Sequence, residues 1–122
     1  MKTKNFIIVG LVALIIIGVI LITTSTAPGN YDGFAKCLSS QGVKMYGAYW
    51  CPHCLNQKKD FGNSWKYVNY IECSLPNKAG QMEICKQASI EGYPTWEFSK
   101  GERVEGEMSF EQLAGKSGCE LA

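Results

Sequence analysis

The sequence carries a single histidine, His53, and almost no net charge, with twelve Lys and Arg against eleven Asp and Glu. Lacking a basic excess, the chain is no nucleic-acid binder by bulk electrostatics. With 46% hydrophobic residues it is no acidic or basic disordered tail either. No repeat is present. No charged side chain interrupts residues 6–22, FIIVGLVALIIIGVILI, and no Lys or Arg lies between Lys4 and Lys36. As a helix this run spans about 25 Å, and about 33 Å with the small residues that follow, against a hydrocarbon core of about 30 Å. Lys2 and Lys4 precede it, so the positive-inside rule leaves the N-terminus in the cytoplasm and exports the rest. The run exceeds the apolar stretch of a signal peptide, which favours a retained single-pass anchor over residues 1–27 in the cell membrane. The alternative is a secreted chain cleaved near Ala27, at the small-x-small motif Ser25-Thr26-Ala27. Residues 28–31 then form a linker, and residues 32–122 one small exported domain with a modest core.

Six cysteines in such a domain, Cys37, Cys51, Cys54, Cys73, Cys85 and Cys119, read as a disulfide framework, for which sequence alone allows fifteen complete pairings. Cys51-Pro52-His53-Cys54 stands apart as a CxxC. A structural zinc site would need a second close ligand pair. The separation of Cys73 from Cys85 and the lone histidine provide none, so neither metal nor cofactor is expected.

Turn and cap residues divide the domain. Asp32 is a candidate N-cap for a helix that Gly42 ends. Residues 43–49 read as a buried strand, and a helix opens at Cys51 with Pro52 in its first turn and Gly62 at its end. Residues 67–73 read as a strand, residues 78–89 as a helix, and residues 95–99 and 102–106 as a strand pair turning at Lys100-Gly101. Ser109 with Gln112 forms a capping box for a last helix. The order α-β-α-β-α-β-β-α predicts an α/β fold, a mixed central sheet with helices on both faces. The CxxC sits where a strand gives way to a helix, the setting of a thioredoxin-like redox motif.

The reactive species in disulfide exchange is the thiolate. Cys51, at a helix N-terminus, faces unpaired N–H groups and the positive end of the helix dipole, which stabilise it. His53 adds a donor or partial positive charge, or is simply an exposed first-turn residue. Cys54, one turn in, is the more buried resolving thiol. Trp50 and Tyr93 flank the reactive elements as a shallow apolar docking surface. Tyr46, Tyr49, Phe61, Tyr67, Tyr70, Trp96 and Phe98 are expected to fill the core. Lys58-Lys59 reads as a solvated helix face.

The segments AYWCPHC and EGYPTWEF, followed by a Gly-containing hairpin, resemble the thioredoxin superfamily over nearly all of residues 32–119. The resemblance implies that Pro94 is cis and lies against the CxxC, and that the Tyr93 backbone binds extended substrates. A longer match, FAKCLSSQGVKMYGAYWCPHCLNQKKDFG, YVNYIECS, IEGYPTWEF and SFEQLAGKSG, is similar to the thioredoxin-like domain fused to vitamin K epoxide reductase homologues. CPHC also matches DsbA-type oxidants, without their helical insertion. The fusion resemblance implies that electrons pass from substrate cysteines through this domain to a quinone-reducing membrane domain. With a single membrane segment here, that part would be a separate vitamin K epoxide reductase- or DsbB-like protein.

The fused domains commonly carry a cysteine pair where Cys73 and Cys85 stand, which implies a structural disulfide or a second, relaying redox pair. Cys37 and Cys119 would tie the two ends of the domain together. Free thiols invite mispairing in an oxidising compartment, although two buried thiols are the simpler possibility. Thioredoxins carry a buried acid six residues before the first cysteine, where this chain has Met45 and a strand, VKMYGAY, without a carboxylate. Unless water or another residue substitutes, the resolving cysteine lacks a proton acceptor, which biases the chain toward oxidising its clients. The expectation is a membrane-anchored extracytoplasmic thiol–disulfide oxidoreductase acting on cysteine thiols of exported proteins, with Cys51, Cys54, His53 and Pro94 catalytic and Trp50, Tyr93 and Pro94 binding substrate. The alternatives are a reductase or isomerase supplied with electrons from the cytoplasm, and a redox-silent module stapled by its disulfides.

Overall fold

A computed structural model describes residues 2–23, with side chains only to residue 19, and residues 30–121. The Ser25-Thr26-Ala27 motif and linker residues 28 and 29 lie outside the described residues. The first helix, α1 (Lys2–Thr23), is 22 residues long and almost uniformly apolar. Its described large side chains are exposed, Phe6 by 78%, so no core among the described residues covers it, and its length and composition suffice to cross a membrane.

The remaining elements are α2 (Asp32–Ser40), β1 (Lys44–Gly47), α3 (Pro52–Phe61), a 3₁₀ segment (Gly62–Tyr67), β2 (Tyr70–Glu72), a second 3₁₀ turn (Pro76–Lys78), α4 (Glu83–Gln87), β3 (Thr95–Glu97), β4 (Arg103–Glu105) and α5 (Phe110–Ser117). The sheet order is β2-β1-β3-β4, with β1 parallel to β2 and the other pairs antiparallel. This is the mixed sheet that the alternation predicts, in a thioredoxin-like fold.

Side-chain alternation along β1 splits the core. Val43 and Met45 face one side with Trp96 and Phe98, against Phe34, Leu38, Phe61 and Leu113 from α2, α3 and α5. Tyr46 faces the other side with Cys73, Cys85 and Ile90, where α4 packs. The main core is aromatic, with Phe61 4.7 Å from Phe110 and Tyr31 meeting Phe110 edge-on at 4.5 Å. Tyr31, at the end of the expected linker, is thus half-buried in the fold.

Local differences from the sequence reading have physical causes. Tyr31, not Asp32, is the N-cap of α2. The Ser64 hydroxyl accepts the Tyr31 N–H and donates to the Asp32 carboxylate, which ties the start of α2 to the 3₁₀ segment. The helix expected over residues 78–89 shrinks to Glu83–Gln87. Asn77 and Lys78 take left-handed φ of 57° and 55°, and Ser74 bridges to Gln81 in β fashion. Gly42 and Gly62, at φ of 76° and 55°, end α2 and α3 as expected. The capping box forms, with the Ser109 side chain accepting from the Gln112 N–H and the Gln112 side chain accepting from the Ser109 N–H. Tyr49 is exposed rather than in the core, and its hydroxyl accepts the Lys78 N–H.

Candidate active site

The site is assembled where β1 ends and α3 begins. Pro52 occupies the first turn of α3, where its missing N–H leaves no bond unmade, and Cys51 is the N-cap. Cys51 is 6% exposed and Cys54 4%, and both are free thiols. The Tyr93–Pro94 peptide bond is cis, and the Tyr93 carbonyl lies 3.6 Å from Cys51 Sγ, within reach of a thiol donor. Tyr93 and Pro94 therefore sit against the CxxC from the loop preceding β3.

Trp50, 39% exposed, meets the Tyr93 ring edge-on at 6.1 Å and donates its indole N–H to Ser74 Oγ. The Tyr93 hydroxyl accepts from Gln81 Nε2 at 2.9 Å. Both rings of this partly exposed apolar surface are thus held by the segment that Cys73 and Cys85 close. His53 Nδ1 lies 2.7 Å from Glu107 Oε2, and the side chain is 65% exposed. A bond between two exposed groups holds the ring weakly.

The other four cysteines are paired. Cys37 joins Cys119 with Cα atoms 5.9 Å apart, and Cys73 joins Cys85 at 5.6 Å. The first bridge links α2 to the segment after α5, and the second links the end of β2 to α4.

Cys54 is enclosed more tightly than its position in the motif suggests. A Cβ on Gly47 would lie 2.9 Å from Cys54 Sγ and 2.8 Å from the Tyr70 ring, so glycine is what admits the thiol here. Burial pushes the Cys54 thiol up to about 12, and a hydrogen bond from the Ala48 backbone only partly offsets this. The Cys51 sulfur and the charge of Glu72 push the same way. Met45, fully buried behind Gly47, presents its methyl group, not a carboxylate.

Two residues here escaped the sequence reading. Glu72 pairs in register with Gly47 across the parallel strands and reaches the Cys54 side of the sheet, with its Oε2 accepting from the Tyr70 hydroxyl at 2.7 Å. Gln57, fully buried in α3, accepts from the Met108 N–H and the Trp96 indole and donates to the Met108 carbonyl. Gln57 thereby fixes α3, and the CxxC at its head, to β3 and the approach to α5. A glutamate in the strand that pairs with the pre-CxxC strand was the available signal for the first. A glutamine on an otherwise apolar helix face was the signal for the second.

Comparison with known proteins points the same way. No family model matches the chain. It is 42% identical over 105 residues to thiol-disulfide oxidoreductase LTO1 of Arabidopsis thaliana, an alignment covering 82% of this chain and 27% of the relative. It is 32% identical over 83 residues to a probable protein disulfide-isomerase A4 of Caenorhabditis elegans, covering 68% of this chain and 12% of the relative. The chain thus spans about a quarter of one relative and about an eighth of the other. Two thiols at the head of a helix, in a thioredoxin-like fold similar in sequence to thiol–disulfide oxidoreductases, place this chain among the homologues of those enzymes.

Proposed function

We propose that the chain is a membrane-anchored, extracytoplasmic thiol–disulfide oxidoreductase that oxidises cysteine thiols of exported proteins and is reoxidised by a vitamin K epoxide reductase- or DsbB-like membrane enzyme. The observation that carries the reading is the division of the six cysteines: four closed in two bridges, and Cys51 and Cys54 left free at a helix N-terminus beside the Tyr93 carbonyl. In the oxidising direction a client thiolate attacks Cys51 of the Cys51–Cys54 disulfide, and Cys54 leaves as a thiolate. A second client thiolate then attacks the client sulfur of the mixed disulfide, and Cys51 leaves. The client loses two electrons and two protons, and the pair gains them. Residues 6–22 would hold the domain at the membrane surface, where a quinone-linked partner recovers the electrons. Trp50 and Tyr93 would receive the client chain.

The test is Cys54→Ser expressed in membranes, which removes the resolving attack. Mixed disulfides through Cys51 are expected with soluble clients and with one membrane protein. Their complete absence would contradict the oxidoreductase reading, and soluble adducts alone would remove the membrane partner. The isomerase name of one relative favours a second reading, an isomerase kept reduced from the cytoplasm. The state of Cys51 and Cys54 in intact cells separates the two, since an oxidase rests as the disulfide and an isomerase as the dithiol.

A further inference from the structure

Resolving a mixed disulfide at Cys51 requires Cys54 to lose its proton, because only the thiolate attacks. Burial makes that loss unfavourable. The proton therefore needs a route and an acceptor. A cavity of about 170 Å³ opens beside Cys54, lined by Tyr49, Lys58, Trp65, Tyr70 and Glu72, with Ala48 and Leu55 completing it. It is large enough for several waters, and although its walls are mostly apolar, the Tyr70 hydroxyl and the Glu72 carboxylate give those waters polar partners.

The lining residues differ in what they can accept. Lys58 from α3 brings a basic side chain and no carboxylate. Burial pushes the Tyr70 hydroxyl up and the Glu72 carboxylate beside it adds to the effect, so Tyr70 stays protonated and donates. The Tyr49 hydroxyl already accepts the Lys78 N–H. Met45 behind Gly47 has no acceptor to offer. Glu72 is the one carboxylate in the lining. It is held in place by the Ser74 N–H at 2.8 Å and the Tyr49 N–H at 3.3 Å on Oε1, and by the Tyr70 hydroxyl on Oε2.

We propose that Glu72 is the proton acceptor for Cys54, reached through water in this cavity, and that it takes the place of the acid missing from β1. The inference rests on the reading of Cys51 and Cys54 as the exchanging pair. In the resolving step the Cys54 thiol gives its proton through water to the Glu72 carboxylate. The Cys54 thiolate attacks the Cys51 sulfur, the Cys51–Cys54 bond forms, and the partner leaves as a thiolate. Glu72 then returns the proton to solvent. In the opposite direction the departing Cys54 thiolate recovers a proton by the same route. The step serves reduction of a client disulfide and reoxidation by a partner disulfide alike.

The experiment uses the reduced full chain in detergent and a symmetric aromatic disulfide with a coloured leaving thiolate. The first coloured phase reports attack by Cys51, and the second reports resolution by Cys54. Glu72→Gln keeps an oxygen for the two backbone N–H groups and an amide beside Tyr70, so it preserves the packing. The ratio of second-phase to first-phase rate is expected to fall at least tenfold at pH 7. The wild-type second phase should run flat with pH across the neutral range, because the proton moves internally. That of Glu72→Gln should rise in proportion to hydroxide. Tyr70→Phe, which keeps the ring but takes one hydrogen bond from the carboxylate, should speed the second phase by making Glu72 a better acceptor. A second phase in Glu72→Gln that is unchanged, or faster because a repelling charge has gone, would overturn the assignment. If that variant fails to fold, a Tyr70→Phe second phase that is unchanged or slower would do the same. Absence of a first phase in the wild type would instead defeat the underlying reading of Cys51.

Discussion

Two pairs of cysteines lie on opposite faces of one small sheet and meet opposite fates. Cys73 and Cys85 are fully buried among Tyr46 and Ile90, bridged between the end of β2 and α4. Cys51 and Cys54 are nearly as buried, yet stand free at the head of α3. Burial alone therefore does not separate a bridged sulfur from a free one. The difference lies in what surrounds each pair. Around Cys73 and Cys85 the walls are apolar, and the bridge closes a short loop. Around Cys51 there are a helix N-terminus, the Tyr93 carbonyl and an exposed indole, and beside Cys54 a cavity with a carboxylate. On the reading proposed above, a disulfide there is open to a client and its proton has an outlet.

The sharpest way to break this contrast is to remove sulfur from each side in turn. Cys51→Ser should lower oxidation of a model dithiol by at least about 1,000-fold, since no Cys51–Cys54 disulfide is left for the dithiol to attack. The Cys73→Ala/Cys85→Ala double variant should keep that activity within about tenfold. The change it does make should appear in substrate affinity, because its loop holds Trp50 and Tyr93. Comparable losses in both variants would mean that electrons pass through Cys73 and Cys85.

Stability should rank the other way. The Cys37–Cys119 bridge spans a sequence separation of 82 residues, and its removal should cost up to about 4.5 kcal/mol in urea unfolding in the chain-entropy picture. The Cys73–Cys85 bridge, spanning 12 residues, should cost up to about 3 kcal/mol. Reversal of that order would place the loss in packing, not in chain entropy. Gln57→Leu should lower stability by about 2–4 kcal/mol, because it strands the Met108 N–H and carbonyl and the Trp96 indole in the core. An unaltered unfolding midpoint would show that α3 is held by its apolar face alone.

The smallest effect concerns acid. Burial by itself would raise the Glu97 carboxyl, but hydrogen bonds from Arg103 and Lys44 hold it below the usual carboxylate range. A carboxyl lowered by folding stabilises the fold above its unfolded pKa, and that contribution is lost as pH falls through the folded value. Wild type should therefore lose slightly more stability than Glu97→Gln as pH falls below about 4. Parallel curves would mean the pair contributes nothing measurable.

Most of the architecture was legible because its signals are local. Pro52, Gly42, Gly62 and the Ser109–Gln112 box mark element ends by chemistry confined to a few residues. The CxxC at a strand–helix junction placed the two free thiols in the same way. The rest depends on contacts distant in sequence. Asp32 stands inside α2, not before it, and its carboxylate is engaged by Ser64, 32 residues away. Residues 78–82 leave the helical pattern because Ser74 pairs with Gln81. Glu72 reaches the Cys54 side only through the register that sets it opposite Gly47, and no spacing rule along the chain contains that register. His53 turned to Glu107 for the same reason, since residue 107 comes beside the helix only through folding of the β4–α5 connection.

The central claim is that one pair of cysteines cycles while two pairs stay closed. Alkylation of the full-length chain after equilibration across a series of glutathione potentials, with the labelled residues identified by mass, tests it most directly. Structural disulfides of exported proteins lie below about −300 mV, and exchange-active pairs lie above. The account predicts a single two-thiol step above about −300 mV, labelled at Cys51 and Cys54, with Cys37, Cys119, Cys73 and Cys85 unlabelled through that step. A step that includes Cys73 and Cys85, or no step before all six cysteines open together, would contradict it.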